Sequence, residues 1–316
     1  MLYLEELVDS VIAEEGQTLM GLDFLFEALE LPMKKIELIF KKALYEYSER
    51  RPMKKTKVVE TYDPEFGIKM PEGTTSCRIA RYGVMANQMP RFLLNTLGDT
   101  RVEFDPTDLT LKVFPPAAPL RLTYTQRYIP TRTVLIQNTI TLPYETDEVD
   151  FTLPASFAKN SLKIQKAVTI TDPNTGEKKS VIHEMSPVKY EEDEDIYGNK
   201  TEQCILEGTL GTGTVDLNTR EVNLQLNDSE VGSILYSFYP KYYVVEEMDL
   251  GNRVFNMLFS YRLLTALASL RAQATQEKLH NVDLTSDDLY GRVAELRRHV
   301  IEVSRNTISF GDIAPV

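Results

Sequence analysis

Tryptophan is absent from the 316-residue chain, and cysteine and histidine are scarce, with two and three residues. Cys77 and Cys204 lie far apart and belong to no Cys-x-x-Cys pattern, so the sequence favours two reduced thiols over a disulfide scaffold. None of His183, His280 and His299 has another histidine or a cysteine three or four residues away, which is the spacing of a helical zinc site. We therefore expect no metal and no cofactor.

Long apolar runs and an excess of positive charge are also missing. No run approaches the roughly 20 residues of a membrane-spanning helix, and the first residues lack the basic and apolar regions of a signal peptide. The 47 Asp and Glu outnumber the 35 Lys and Arg, for a net charge of −12. Such a chain is poorly suited to general binding of a phosphate backbone, which requires clustered Lys and Arg. We expect a protein made in the cytoplasm, with no membrane partner.

The familiar catalytic signatures are missing as well. The chain contains no GxSxG, Walker-type loop, GxGxxG or HExxH pattern. Five consecutive carboxylates at 191–195 lack the spacing of a calcium loop, in which ligands alternate with a glycine bend, and they favour a solvated loop over a cation site. We expect the chain not to be an enzyme, and we assign no catalytic, cofactor-binding or metal-binding residue.

Helical periodicity occurs near both ends of the chain. Apolar residues at 4–12 share one face before Gly16, and a second such pattern begins after Pro32 and ends at Pro52, whose ring clashes with a continuing helix. After Gly251, an apolar stripe that includes residues 255–274 predicts a helix of about 25 residues. Thr285-Ser-Asp-Asp288 resembles a capping box that opens a last helix, ending near Arg305. Because each helix has one apolar face, we expect the terminal helices to pack together, with Phe255 and Leu267 in their core.

The middle of the chain has the pattern of β-strands. At 54–248, short runs rich in Val, Ile, Thr and Tyr alternate with turn residues, and 168–182 has the pattern of a hairpin. Segments 102–113 and 215–226 share the pattern V-x-[FL]-[DN]-x-x-x-[LV]-x-L-x-[VL], which indicates either two ordinary hairpins or a reused sheet unit. The predicted fold class is α+β, with an antiparallel β-sandwich inserted between packed terminal helices.

These patterns predict four segments. They are an N-terminal helical segment at 1–53, a β-rich region at 54–249, C-terminal helices at 250–306 that pack on the N-terminal helices, and a tail at 307–316. Within the β-rich region, the repeated pattern suggests two related sheet units at 54–145 and 146–249.

Aromatic and apolar residues suggest two contact surfaces. The chain has 16 tyrosines, and Tyr239, Tyr242 and Tyr243 lie close together in a segment of strand-like sequence, where alternation of faces prevents all of them from being core. Tyrosine contributes contact area at low entropic cost, so this segment is a candidate interface. The tail is a second candidate, because Ile308, Phe310 and Ile313 alternate with small or polar residues; it either folds back on its own subunit or docks on a neighbouring one.

The order of elements resembles the neck, or head-completion, protein of contractile-tailed bacteriophages of the T-even type. The matching segments are 31–47 (LPMKKIELIFKKALYEY), 102–128, 252–273 and 282–305. Two features depart from that family's pattern. The β-region is extended by residues 133–249, and no tryptophan precedes the long C-terminal helix.

The resemblance implies a structural virion subunit at the head–tail junction. Twelve copies would form a ring between the portal protein and a tail-proximal neck or tail-terminator protein, and DNA would pass through its centre. A net negative charge suits such a conduit, because carboxylates facing the lumen repel phosphate. Two alternatives remain open from the sequence: a baseplate or other tail subunit, and a β-sandwich protein that binds ligands or processes carbohydrate.

Overall fold

A computed structural model describes residues 1–86, 89–92, 101–114, 116, 118–171, 178–194, 200–227, 231–275, 279 and 282–310. The chain divides into two compact units. Unit 1 comprises Met1–Gln17 and Pro130–Leu250, and unit 2 comprises Thr18–Ile129 and Gly251–Val316. The α+β class predicted from the sequence is confirmed, with helices near both ends and a large, mostly antiparallel β-rich region between them.

The described elements have the following bounds. The helices are α1 (Leu4–Gly16), α2 (Leu22–Leu29), α3 (Met33–Arg50), α4 (Arg253–Arg271) and α5 (Ser286–Phe310). The strands are β1 (Leu2–Tyr3), β2 (Met53–Val59), β3 (Ile68–Lys69), β4 (Thr74–Ala86), β5 (Met89–Phe92), β6 (Arg101–Asp105), β7 (Thr110–Phe114), β8 (Leu120–Gln126), β9 (Ile136–Leu142), β10 (Glu148–Thr152), β11 (Lys163–Thr171), β12 (Lys178–Glu194), β13 (Lys200–Gly208), β14 (Gly211–Asp216), β15 (Glu221–Leu226), β16 (Gly232–Phe238) and β17 (Val244–Val245).

Unit 1 is built on an eight-stranded antiparallel sheet in the order β10-β15-β14-β13-β12-β11-β16-β9. Alternate residues of its strands face one apolar core, which includes Ile164, Leu206 and Phe238. Phe151, on edge strand β10, stacks on Tyr236 of β16 near the other edge, with ring centroids 5.2 Å apart. The sheet therefore curls until its two ends share a core, as the predicted sandwich requires.

Helix α1 belongs to unit 1, whereas the sequence placed it with the other N-terminal helices. Strand β1, just before it, pairs with β17, and the Leu4 N–H donates to the Tyr243 carbonyl at 3.2 Å. The Glu5 carboxylate accepts hydrogen bonds from both the N–H and the hydroxyl of Ser156. The apolar face of α1 was correctly recognised, but these partners lie about 150 and 240 residues away in sequence, so local periodicity contains no information about them.

Unit 2 contains the remaining helices. Phe255 on α4 packs edge-to-face against Phe40 of α3 at 5.8 Å and against Tyr47 at 5.6 Å, and Leu267 is fully buried. The Asn252 amide donates to the Tyr47 hydroxyl at 2.9 Å, so a polar contact ties the start of α4 to the end of α3. The predicted packing of N-terminal on C-terminal helices thus holds for α3 and α4, and both predicted core residues are buried.

Two helix ends differ from expectation. Helix α4 has 19 residues and ends at Arg271, so it is shorter than the predicted length of about 25 residues. Helix α5 continues to Phe310, beyond the predicted end near Arg305. For α4, the apolar stripe predicted the length of the helix poorly, because residues of the turn after a helix can continue the same spacing of apolar side chains.

Unit 2 also contains two small sheets, β2-β8-β4-β5 and β3-β7-β6, which share an apolar core. Hairpin β6–β7 corresponds to segment 102–113, and hairpin β14–β15 of unit 1 corresponds to segment 215–226. Each turn begins with an aspartate whose Oδ1 accepts an N–H two residues later at 2.8 Å, from Thr107 to Asp105 and from Asn218 to Asp216. Each has a left-handed residue four positions after that aspartate, Leu109 or Arg220. The pattern marks two hairpins of one turn type, although the structural equivalence is two residues out of register with the sequence alignment.

Candidate functional site

The tyrosine segment follows β16 in unit 1. Tyr239 is 44% exposed, whereas Tyr242 and Tyr243 are half-buried. The Arg132 guanidinium carbon lies 4.3 Å from the Tyr243 ring centroid, and the Lys241 Nζ lies 5.3 Å from that of Tyr242. The segment thus presents one exposed ring and two rings contacted by cations, and its role as an interface stays a prediction.

The structure places only part of the predicted tail. Ile308 and Phe310 lie on the backbone of the last turns of α5, while Ile313 falls outside the described residues. Helical spacing replaces the strand-like alternation expected for 308 and 310. The docking of this tail on a neighbour stays a prediction.

A cavity of about 460 Å³ opens in unit 1 beside the tyrosine segment. Leu153, Phe157 and Tyr190 line its apolar part, and Lys159, Arg220 and Lys241 supply positive charge. Four carboxylates also lie in its wall, those of Glu191, Glu192, Glu202 and Asp216. The cavity therefore offers mixed charge over an apolar base.

The aromatic wall of this cavity is held in place by polar contacts. The Asn160 N–H donates to the Tyr190 hydroxyl at 2.9 Å, and the Lys159 Nζ lies 5.1 Å from the ring centroid. Burial raises the pKa of Tyr190, because a phenolate would lose solvation there. Burial likewise raises the pKa of the neighbouring Cys204 thiol to about 11. Both groups stay protonated near neutral pH, so neither is an activated nucleophile.

A second concave surface lies on the helices of unit 2. We call it the α3 groove; it measures about 450 Å³ and is lined by Leu38, Lys42, Tyr45, Glu46, Glu49 and Arg262. Leu38 is 59% exposed and Tyr45 is 50% exposed, so two large apolar side chains of α3 lie on the solvent side of the helix. Residues 38, 42, 45 and 49 follow the helical repeat, so one face of α3 presents them together.

Ion pairs hold the walls of the α3 groove. The Arg262 guanidinium donates to Glu46 Oε2 at 2.6 Å, and Arg50 approaches Glu46 Oε1 at 3.2 Å. Arg127 lies 3.6 Å from Glu49 and stacks its guanidinium 4.5 Å from the Tyr45 ring centroid. Both carboxylates of the groove are thus paired with arginines, while Lys34, Lys35 and Lys42 of the same face are exposed to solvent. Cations consequently dominate this surface.

The α3 groove was missed by reading the sequence. The lysines at 34, 35, 41 and 42 indicate the solvent side of the helix, and a solvent side is normally polar. The available signal was Leu38 and Tyr45, two large apolar residues in the middle of that polar side.

Neither metal binding nor membrane insertion gains support from the described residues. Among them, no group of three or more His, Cys, Asp or Glu side chains is arranged to hold a metal ion. The acidic run begins at the end of β12, where Glu191 and Glu192 are exposed. No helix in the described part of the chain is long and apolar enough to cross a membrane.

Comparisons with known proteins are negative. No protein-family model, no curated protein and no solved structure matches the chain.

Proposed function

We propose that the chain is a structural subunit of the head–tail connector of a tailed bacteriophage, which forms a ring between portal and tail and lets DNA pass. One observation carries the proposal. All four segments that resemble the neck family, 31–47, 102–128, 252–273 and 282–305, lie in unit 2. These four segments are widely separated in sequence, yet they fold into one compact unit. Members of a protein family are expected to share such a common core.

The main departure from the family pattern has a matching structural explanation. The extension at 133–249 lies within Pro130–Leu250, which together with the first 17 residues forms unit 1 with its own apolar core. An added unit with a separate core leaves the core of the first one unchanged. The extension is therefore compatible with a neck-type unit 2.

Surface chemistry favours assembly as the activity. Leu38 and Tyr45 in the α3 groove and Tyr239 in unit 1 are large apolar side chains exposed on the isolated chain. Exposed apolar surface that is bordered by charged residues is characteristic of protein–protein contacts. The proposed partners are further copies of this chain, the portal protein and a tail-proximal neck or tail-terminator protein.

Negative-stain electron microscopy tests the proposal. The purified full-length protein is imaged alone and after mixing with a purified portal ring, and we expect rings of about twelve copies that stack coaxially on the portal. A protein that stays monomeric at micromolar concentration in both preparations would contradict a connector role. Rings that bind baseplate components and ignore the portal would instead support the baseplate alternative.

The cavity of unit 1 favours a second candidate function, ligand or carbohydrate binding by that unit. Its volume, about 460 Å³, lies in the range of small-molecule sites, and Tyr190 together with the carboxylates resembles the mixture found in sugar-binding clefts. Thermal-shift measurements with a panel of oligosaccharides test it. A stabilisation that is lost in a Tyr190→Ala variant would support this candidate, whereas an unchanged melting temperature with every sugar would eliminate it.

A further inference from the structure

The short helix α2 of unit 2 presents an exposed aromatic ring between two carboxylates. Phe24 is 58% exposed, and Met20, in the turn before the helix, is 84% exposed. Asp23 and Glu27 are exposed as well, and the helical repeat places them on either side of Phe24 on one face of the helix. We call Met20, Asp23, Phe24 and Glu27 the α2 face.

The carboxylates around this ring have no cationic partner in the described part of the chain. Residues 18–33 contain Asp23, Glu27 and Glu30 and no Lys, Arg or His. Among the described residues, none of these three carboxylates forms an ion pair with a Lys or an Arg. The residues of the α2 face therefore carry a net negative charge beside an exposed aromatic side chain, and that charge attracts a cationic surface.

The α3 groove, also in unit 2, has the opposite charge around an apolar centre. Leu38 and Tyr45 are exposed at that centre, and Lys34 and Lys42 are exposed on the same face of α3. The two glutamates of its wall are already paired with arginines, so they do not cancel the charge of the lysines. An apolar centre with a charged rim is the usual composition of a protein interface.

We propose that the α2 face of one copy binds in the α3 groove of a second copy. In this contact Phe24 lies between Leu38 and Tyr45 of the neighbour. The carboxylates of the α2 face lie beside Lys34 and Lys42. The inference rests on the proposed ring, for which it supplies the subunit contact, and both surfaces belong to unit 2, which contains the segments that resemble the neck family.

The composition of the two surfaces favours a second copy over DNA as the occupant of the groove. A phosphate backbone is bound by Lys, Arg and backbone N–H groups, and it gains nothing from Leu38 and Tyr45 at the centre of the contact. The α2 face fits the centre and the rim, because its ring can fill an apolar centre and its carboxylates can pair with lysines. The groove measures about 450 Å³, which leaves room for one aromatic side chain.

The contact joins two different surfaces of the chain. Each copy uses its α2 face on one neighbour and its α3 groove on the other. A heterologous contact of this kind generates a closed ring when the rotation between copies divides a full turn. The contact therefore supplies the geometry that a connector ring requires.

Phe24→Ala tests the apolar part of the contact. We expect it to lower self-association about tenfold, because a large aromatic anchor is lost, while the melting temperature stays within about 2 °C of the wild type, because the ring is mostly exposed in the single subunit. Phe66→Ala is the matched control, since Phe66 is 74% exposed in the same unit, and it should leave association unchanged. Mass photometry of the full-length protein measures association.

Charge reversal tests the polar part of the contact. Asp23→Lys with Glu27→Lys reverses the α2 face, and Lys34→Glu with Lys42→Glu reverses the α3 groove. We expect each double variant to lower self-association about tenfold at low salt, since attractive pairs become repulsive. Circular dichroism verifies that each variant is folded.

Complementation between the two double variants is the decisive experiment. An equimolar mixture pairs each acidic groove with a basic α2 face and each basic groove with an acidic α2 face, so association should return. The chain carrying all four substitutions should associate for the same reason. Lys178→Glu with Lys179→Glu, which makes the same charge change as the groove variant on exposed residues at the start of β12, is the matched control and should leave association unchanged.

The possible outcomes separate this contact from the connector role. Wild-type rings that are insensitive to Phe24→Ala and to both reversals would overturn the contact and leave the connector proposal standing. Association that depends on both surfaces, but stops at dimers and never joins a portal, would support the contact and reject the connector. Loss of DNA binding in the groove variant, measured by gel shift, with association unchanged would show a nucleic-acid surface and overturn the contact.

Discussion

Phe255 joins the helices of unit 2 through its ring. It is fully buried and contacts Phe40, Tyr47 and Phe259 at centroid distances of 5.8, 5.6 and 6.5 Å. Phe255→Ala would remove three ring contacts and leave a cavity, so we expect a loss of about 3–5 kcal/mol in the free energy of unfolding. Urea denaturation followed by circular dichroism measures the loss.

The control for this prediction is Tyr290→Ala on α5, because Tyr290 is half-exposed and lies in the same unit. Its cost should stay within about 0.5 kcal/mol. Equal losses for the two variants would show that Phe255 is not a core residue of the folded protein.

We expect the Cys204 thiol to be unreactive towards alkylating reagents in the folded protein. Burial raises the pKa of its thiol to about 11 from an ordinary 9.0, because the thiolate would be desolvated. The folded state thus prefers the neutral thiol, and the stability that follows is fully present below pH 9 and is lost as the pH rises towards 11. We expect iodoacetamide to label Cys204 negligibly at pH 8 and rapidly after denaturation.

Labelling is located by peptide mass spectrometry, with fully denatured protein as the positive control. Cys77 is also buried and serves as an internal comparison. Fast modification of Cys204 at pH 8 in protein with a native circular dichroism spectrum would contradict a raised pKa.

At the scale of elements, the start of α5 was predicted correctly from four neighbouring residues. The Asp288 N–H donates to Thr285 Oγ1 at 3.2 Å, and the Thr285 N–H donates back to Asp288 Oδ2 at 3.3 Å, which is the capping box predicted from four residues. Thr285→Ala removes the first acceptor, so we expect it to cost about 1 kcal/mol in unfolding free energy.

Thr285→Ser distinguishes capping from packing. Serine keeps the hydroxyl, so its unfolding free energy should stay close to that of the wild type in the same urea titration. A serine variant as unstable as the alanine variant would show that the threonine methyl group, and not the cap, is responsible.

The sequence predicted the helix starts and the hairpin turns correctly, because the residues that form them interact with groups only a few positions away. Pro32 precedes α3, Gly16 closes α1, and Asp105 and Asp216 open two hairpins through hydrogen bonds to N–H groups two residues away. The predicted length of α4 was wrong because an apolar stripe reports the face of a helix and not its end, and Ala274 continues the stripe beyond the last helical residue, Arg271. The groove on α3 was missed for a related reason, since periodicity reports the buried face and says nothing about a second one.

At the scale of the whole molecule, the C-terminal segment provides a test of assembly that is independent of the α3 groove. Deleting residues 307–316 removes Ile308, Phe310 and Ile313 and trims the last turn of α5. If this segment docks on a neighbour, the melting temperature should change by less than about 2 °C while ring formation weakens. Differential scanning calorimetry and negative-stain imaging measure the two effects.

Deleting only 311–316 is the matched control, because it leaves α5 at its described length and removes Ile313 alone of the three apolar residues. We expect this shorter deletion to affect ring formation less than the longer one. A longer deletion that lowers the melting temperature strongly while sparing ring formation would show that the segment belongs to the core of its own subunit.

The α+β class, the helix-starting residues, the hairpin turns and the burial of Phe255 and Leu267 were all accessible from the chain alone. Each depends on spacing within about one turn of helix or one hairpin, where local sterics and the alternation of apolar residues dominate. The assignment of α1 to unit 1 and the cavity beside Tyr190 were not accessible. Each depends on which distant segments come together, as Leu2 meets Val245 and Glu5 meets Ser156, and that choice follows from burying the apolar faces of all elements at once.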